Sequence, residues 1–350
     1  MSVTIRADLA ALPPYVIPRQ PPGAVLLNSN ESPVAPPDAV VTAVAAAAAA
    51  MHRYPDWTSS ELVDRLSHSL TVDPSRIAVG CGSVSLCQQL LQAVCGPGDE
   101  VVHAWRSFEA YPVLTRIVGA TPVAVPLDAD QRHDLTAMLA AITPATRVVF
   151  VCNPNNPTGT AVSRDALRDF LHAVPPDVLA VIDEAYREFG TDPDLPDGLE
   201  FAATHDNVAV LRTFSKAHRL AGVRIGYCVA APLVAEGVRK VGIPFGVSRL
   251  AEAAAIAALD NEDAIRVLCR ETTRERTRVS EALARLGYAT VPSQANFLWL
   301  PLGPRAVEFG EHCAAGKVIV RVFPGDGARV TIGAPEENDA FLRATEGFRP

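Results

Sequence analysis

The chain predicts an α/β fold, with a large domain built on a mostly parallel sheet between helices and a smaller α+β domain behind it. Three observations predict it. Between Ile77 and Val229, short apolar β-branched runs alternate with helical segments, the pattern of parallel strands covered on both faces. After Pro244 the order changes to a long polar helix, three strand-like runs and a last helix. The length, 350 residues, exceeds what one hydrophobic core usually serves. The expected division is 1–48, an N-terminal arm with part of the small domain; 49–242, the large domain; and 243–350, the small C-terminal domain.

Taken in order, the proline-rich opening from Leu12 through Pro37 reads as an extended arm. Ala39 to His52 is helical by its alanine content. The segment 83–95 is an amphipathic helix: Ser83 is its expected cap, and Leu86, Leu90, Leu91 and Val94 form one stripe. Val148–Cys152, Leu179–Ile182 and Val208–Leu211 are continuous apolar runs, as buried parallel strands require. Beyond the boundary near Val241–Gly246 comes a helix from Glu262 to Leu286. Strands follow at Ala295–Leu300, Val318–Val322 and Arg329–Ile332, then a last helix from Glu336. There is no internal repeat.

Composition excludes several classes. Net charge is −8, from 31 basic and 39 acidic residues with no single-sign block, so neither nucleic acid nor an anionic membrane is an expected partner. Seven cysteines, an odd number without C-x-x-C spacing, imply buried small hydrophobes in a reducing compartment and no metal site. Ala39–Met51 is too short to span a bilayer, and Met1–Leu12 lacks a secretory apolar core. A soluble, cytoplasmic protein is expected.

The chemistry gathers at strand ends. Ligands of open parallel sheets bind at the carboxyl ends of the strands. There stand Asn153-Pro154-Asn155-Asn156-Pro157-Thr158-Gly159, then Asp183-Glu184-Ala185-Tyr186, then Thr213-Phe214-Ser215-Lys216 with Arg224 beyond. An amide, a carboxylate, a phenol, a lysine and an arginine aimed at one crevice are what pyridoxal phosphate chemistry needs. A lysine usually lies on a polar face. Lys216 follows a buried strand, where desolvation frees its amine to attack an aldehyde. Thr213, Ser215 and Arg224 would cradle a phosphate.

Asp183 resembles the strand-end acid of a nucleotide triphosphatase, but no G-x-x-x-x-G-K-[ST] loop stands upstream. A structural buried acid is the other alternative, costly unless paired. Opposite a pyridinium nitrogen it is paired and keeps the ring an electron sink. Tyr186 could reach the ring's phenolate oxygen. Asn156 sits where asparagine is common for turn geometry alone, but in series with Asp183 and Lys216 it becomes a second donor to that oxygen.

Gly80-Cys81-Gly82-Ser83 opens a helix after a strand. Alone it would equally start a nicotinamide oxidoreductase, because free N–H groups at a helix N-terminus bind any phosphate. Phe108 could stack on the cofactor ring or simply pack in the core. Arg329 is a charge inside a strand, suited to grip an amino acid's α-carboxylate bidentately. Arg321, on the preceding strand, is either a second anion contact or a surface residue.

With these residues in view, the chain resembles the fold-type I aminotransferases of the histidinol-phosphate aminotransferase subgroup nearly end to end. The resembling runs include Leu27-Asn28-Ser29-Asn30-Glu31-Ser32-Pro33, Arg53-Tyr54-Pro55-Asp56, Asn153 to Gly159, Asp183 to Tyr186 and Thr213 to Gly226. Within the subgroup it is most similar to actinobacterial phenylalanine (aromatic amino acid) aminotransferases, through Gly80 to Leu90, Trp105 to Glu109, Ser293 to Phe297 and Gly333 to Asn338.

The resemblance implies pyridoxal 5'-phosphate linked to Lys216, with its ring nitrogen on Asp183 and its ring oxygen on Asn156 and Tyr186. The phosphate falls to Ser83, Val84, Thr213, Ser215 and Arg224. Tyr54 reaches over from the other subunit of a homodimer with shared active sites. Arg329 is implied at the substrate carboxylate, with Tyr15 and Asn30 near the substrate. Two departures stand out: Ser83-Val84-Ser85 replaces the usual acidic residues, and His218 replaces an aromatic one. The implied reaction is a ping-pong transamination between an aromatic amino acid and a 2-oxo acid; the alternative is a histidinol-phosphate transaminase.

Overall fold

The computed structural model describes residues 3–10, 12 and 21–350. Tyr15 lies outside the described residues. Among the described residues, eleven strands form two sheets: β1 Val25–Leu27, β2 Ile77–Gly80, β3 Glu100–Trp105, β4 Thr121–Pro126, β5 Thr146–Cys152, β6 Leu179–Asp183, β7 Val208–Thr213, β8 Gly226–Val229, β9 Phe297–Leu300, β10 Val318–Phe323 and β11 Gly327–Thr331. The large sheet runs β2-β8-β7-β6-β5-β3-β4, and only β8 is antiparallel to its neighbours. The small sheet runs β1-β10-β11-β9.

Successive strand residues point to opposite faces, and both faces of the large sheet are covered. Val148, Phe150 and Cys152 pack with Leu86, Leu90 and Leu91 of helix Ser83–Val94. Val149 and Val151 pack with Leu167, Phe170 and Leu171 of helix Arg164–Ala173 on the other side. The small sheet shares a core with Val279 and Leu283 of helix Glu262–Arg285, and with Phe309 and Phe341.

Two details differ from the sequence expectation. The cap of helix Ser83–Val94 is Gly82 (φ 83°), and Ser83 is the first helical residue. At φ 83° position 82 lies in the region that glycine adopts without strain, and the helix entry therefore falls one residue before Ser83. Helices Asp38–Ala48 and Arg249–Leu259, assigned from sequence outside residues 49–242, pack with helix Ser60–Leu70 on Ile77, Phe214, Ile225 and Tyr227 of the large body. The alanine faces at 251, 254, 255 and 258 allow that close approach.

The topology places the crevice. From β3 the chain continues outward to β4, while β5, β6 and β7 run the other way, so the carboxyl ends of β3 and β5 flank a switch point. Cys152, Asp183 and Leu211 are in register across β5, β6 and β7, and Gly80, Gly226 and Thr213 across β2, β8 and β7. One edge of the sheet therefore carries every strand-end group picked out above. Among the described residues no helix is long and apolar enough to cross a membrane, and no cluster of His, Cys, Asp and Glu could hold a metal.

Candidate active site

A cavity of about 240 Å³ opens along that edge. It is lined by Ser83 and Val84 from one side, Phe108, Asn156, Asp183 and Tyr186 from the floor, and Thr213, Ser215, Lys216 and Arg224 from the other. Ser29, Glu31, Cys152, Ala185 and Ala221 complete it. Tyr54, Arg321 and Arg329 are not among the lining residues.

Lys216 Nζ donates to the backbone carbonyl of Ser29 at 3.0 Å and lies 5.9 Å from the Tyr186 ring centre. The side chain is half-buried in the cavity wall. Its pKa falls to about 7, first through desolvation and then through the charge of Arg329, with Glu31 opposing and Arg224 adding a smaller push in the same direction. A substantial fraction is therefore neutral, and so nucleophilic, near pH 7.

Asp183 is buried at the end of β6. Tyr111 donates its hydroxyl to Oδ2 at 2.8 Å, while Oδ1 has no hydrogen-bond partner among the described residues. Burial raises the Asp183 pKa to about 6, partly opposed by Tyr111 and the Ala185 N–H. Glu184, next in the chain, enters a different network. It pairs with buried Arg212 at 2.8 Å and accepts the Gly198 N–H at 2.6 Å. A buried pair of this kind becomes costly once one partner is lost, which ties the ends of β6 and β7 together.

An anion cradle faces these groups. Ser83 begins its helix with free N–H groups, the favoured end for phosphate. Arg224 (φ 63°, a conformation held against local strain) donates to Ser215 Oγ at 3.3 Å and to the Cys81 carbonyl at 3.4 Å. Thr213 Oγ1 accepts from the Ser215 N–H at 3.1 Å. A Cβ on Gly226 would sit 2.9 Å from the Ser83 nitrogen, so glycine there is what lets the helix end approach.

Residues 28–30 staple the two sheets together. Arg329 donates to Asn156 Oδ1 and, at 2.7 Å, to the Asn28 carbonyl. Asn30, in a left-handed conformation (φ 54°) that asparagine tolerates, donates from Nδ2 to the Tyr186 hydroxyl at 3.0 Å. Burial pushes the Tyr186 pKa up to about 12, so it is a protonated donor at neutral pH. With the Asn156 oxygen committed to Arg329, its remaining hydrogen-bonding group is the Nδ2 donor, the half an oxyanion needs. His218 packs on Phe214 with ring centres 4.7 Å apart, and desolvation drops its pKa to about 4, so it stands there as a neutral ring.

Arg321 is ion-paired with Glu109 at 2.8 Å, outside the cavity wall. Tyr54 is 79% exposed and stacks on Phe245 with ring centres 4.7 Å apart. Sequence reasoning missed Tyr111, Asn28 and Glu109. Tyr111 had a signal, since it lies one helical turn beyond Phe108; the other two act through contacts that local sequence does not encode.

The site fits pyridoxal phosphate on its own geometry. A buried carboxylate oxygen without a partner, a lysine of depressed pKa and a helix-end anion cradle lie around one cavity at a switch point. With this sheet order, those features define the fold-type I pyridoxal phosphate enzymes. The profile of the family "Aminotransferase class I and II" matches residues 22–344. The aromatic amino acid aminotransferase of Nocardia farcinica is 52% identical, over 98% of this chain and 97% of the relative. That of Streptomyces coelicolor is 50% identical, over 99% and 98%. The structure of histidinol-phosphate aminotransferase from Sinorhizobium meliloti in complex with pyridoxal-5'-phosphate superposes with a TM-score of 0.90 at 29% identity, covering 98% of this chain and 97% of that one. The chain belongs to the class I and II aminotransferases.

Proposed function

We propose that the protein is a pyridoxal phosphate-dependent aromatic amino acid aminotransferase, moving an amino group between an aromatic L-amino acid and a 2-oxo acid in two half-reactions, in the cytoplasm. The observation that carries this reading is Lys216 facing partnerless Asp183 Oδ1 in one cavity, with Arg329 close enough to depress the lysine's pKa. Relatives half identical over nearly the whole chain carry the aromatic name.

When bound, pyridoxal phosphate supplies an aldehyde that bonds amines and a ring that draws electrons from the carbon beside them. Ser83, Val84, Thr213, Ser215 and Arg224 would hold its phosphate, Asp183 its ring nitrogen, Asn156 and Tyr186 its ring oxygen, and Phe108 one ring face. Lys216 would anchor the aldehyde, and its neutral amine would serve as the base that takes the proton from the substrate's α-carbon. Arg329 would hold the substrate carboxylate and orient that carbon, with Asn30 close by. The resemblance implies Tyr15 near the substrate as well.

An aromatic side chain gains its binding mainly from buried area, about 25 cal/mol per Å². A pocket of that kind separates phenylalanine from tyrosine poorly unless a polar group awaits the hydroxyl. Phenylpyruvate and 4-hydroxyphenylpyruvate should therefore show similar kcat/KM, with imidazole acetol phosphate clearly worse. Side-by-side steady-state kinetics check this, and a preference for the phosphate ester would instead favour the histidinol-phosphate reading.

The active unit in this reading is a homodimer with Tyr54 serving the partner's phosphate. Tyr54, Trp57 and Ile243 are exposed by 79%, 67% and 80%, an apolar patch of the kind that marks an interface. Mixing inactive Tyr54→Ala and Lys216→Ala proteins should recover about a quarter of wild-type activity, because half the dimers would be hybrids with one intact site each. Activity no greater than that of the two parents would count against shared sites.

A further inference from the structure

Three guanidinium groups surround Phe323 on the small sheet, and one of them, Arg329, donates to Asn156 in the cavity wall. The charge centres of Arg106, Arg321 and Arg329 lie 5.7, 5.8 and 5.9 Å from its ring centre. Arg321 and Arg329 are directly opposite on β10 and β11, so they share one face of the sheet and repel each other. Arg106 is paired with Asp326 at 2.5 Å. Arg321 donates to Glu109 Oε2 at 2.8 Å, and Glu109 follows Phe108, a wall of the cavity.

We propose that Glu109 sets the charge of anion the site accepts: it holds Arg321 in an ion pair and so withholds a second cation from the substrate's anionic end. This rests on the aromatic amino acid reading above. Arg329 alone matches a carboxylate, which carries one negative charge. A phosphate ester carries nearly two and calls for a second cation, and the next one on that sheet face is Arg321. With Glu109 beside it, Arg321 contributes no net charge, and the Glu109 carboxylate itself repels the phosphate. Discrimination of this kind, by a repulsive element rather than a better fit, needs no contact with the preferred substrate. An uncharged aromatic side chain loses nothing by it.

The test compares holoenzyme of wild type, Glu109→Gln, Glu109→Asp and the double variant Glu109→Gln/Arg321→Gln, with phenylpyruvate and imidazole acetol phosphate as acceptors. The kcat/KM ratio of phosphate ester to phenylpyruvate should rise about tenfold or more in Glu109→Gln, chiefly through KM for the ester. The gain should shrink with added salt, because the pair is partly exposed. Glu109→Asp should keep the wild-type ratio, and the double variant should lose the gain. Phenylpyruvate turnover reports whether each variant is folded, and inorganic phosphate should inhibit Glu109→Gln more strongly than wild type as an independent readout. A ratio within about twofold of wild type in Glu109→Gln, or an equal gain in the double variant, overturns the proposal. A wild-type enzyme that already prefers the ester overturns the aromatic reading instead, so the two failures are told apart.

Discussion

Lys216→Ala protein is expected to bind pyridoxal phosphate without the visible absorption of a covalent link, and to show no measurable transamination. In the proposed mechanism one side chain is both anchor and proton acceptor, so its removal should cost more than the 10²–10⁴-fold, roughly, that a single positioned acid–base group supplies. The depressed pKa adds a pH signature. The neutral amine is the attacking form, and with a pKa of about 7 it becomes the majority form above neutrality. Uptake of cofactor by stripped wild-type protein should therefore accelerate from about pH 6 to 8 and level off beyond, as stopped-flow absorbance would record. A rate that climbs steadily to about pH 10 would mean that the amine is as basic as in water.

Asp183→Asn is expected to retain the cofactor, still held by the phosphate cradle and Lys216, while kcat falls about 10²–10³-fold, the size of effect when one preorganised electrostatic partner is removed. The carboxylate's partnerless Oδ1 is the group that would stabilise a protonated ring nitrogen, and an amide of the same shape cannot supply its charge. Titration with pyridoxal phosphate and pre-steady-state kinetics separate the two effects. Wild-type kcat in this variant would show that Asp183 is structural. Tyr111, which holds Oδ2, should behave as a positioning residue whose removal moves kcat far less.

The large sheet and most of the site were legible because their signals are local. β5, β6 and β7 are short apolar runs, and each ends at or just before its polar group: Asn156, Asp183 and Lys216. Parallel topology then brings the ends together without further information. What escaped is carried by contacts far apart in the chain. Arg321 and Glu109 are 212 residues apart, so the sequence left Arg321 undecided between substrate contact and surface. The helix cap falls at Gly82 and not at Ser83 because the backbone enters the helix at φ 83°, which the Gly-Ser pair by itself does not announce. Helix Arg249–Leu259 lies past the expected boundary, yet its alanines are complementary to a surface on the large body that local pattern does not display. Tyr54 was identified through resemblance, and its exposure fits a role in a partner's site.

The most direct measurement of the central claim is chemical. Borohydride fixes a carbon–nitrogen link between cofactor and lysine, and peptide mass spectrometry locates it. The chain has three lysines, Lys216, Lys240 and Lys317. Lys240 is an exposed residue paired with Glu236 at 2.6 Å, and Lys317 is exposed at the start of β10. The reduced cofactor is expected on the peptide containing Lys216, in near-stoichiometric amount, and none on the other two. A label on Lys240 or Lys317, or an unlabelled Lys216 peptide from active enzyme, would contradict it.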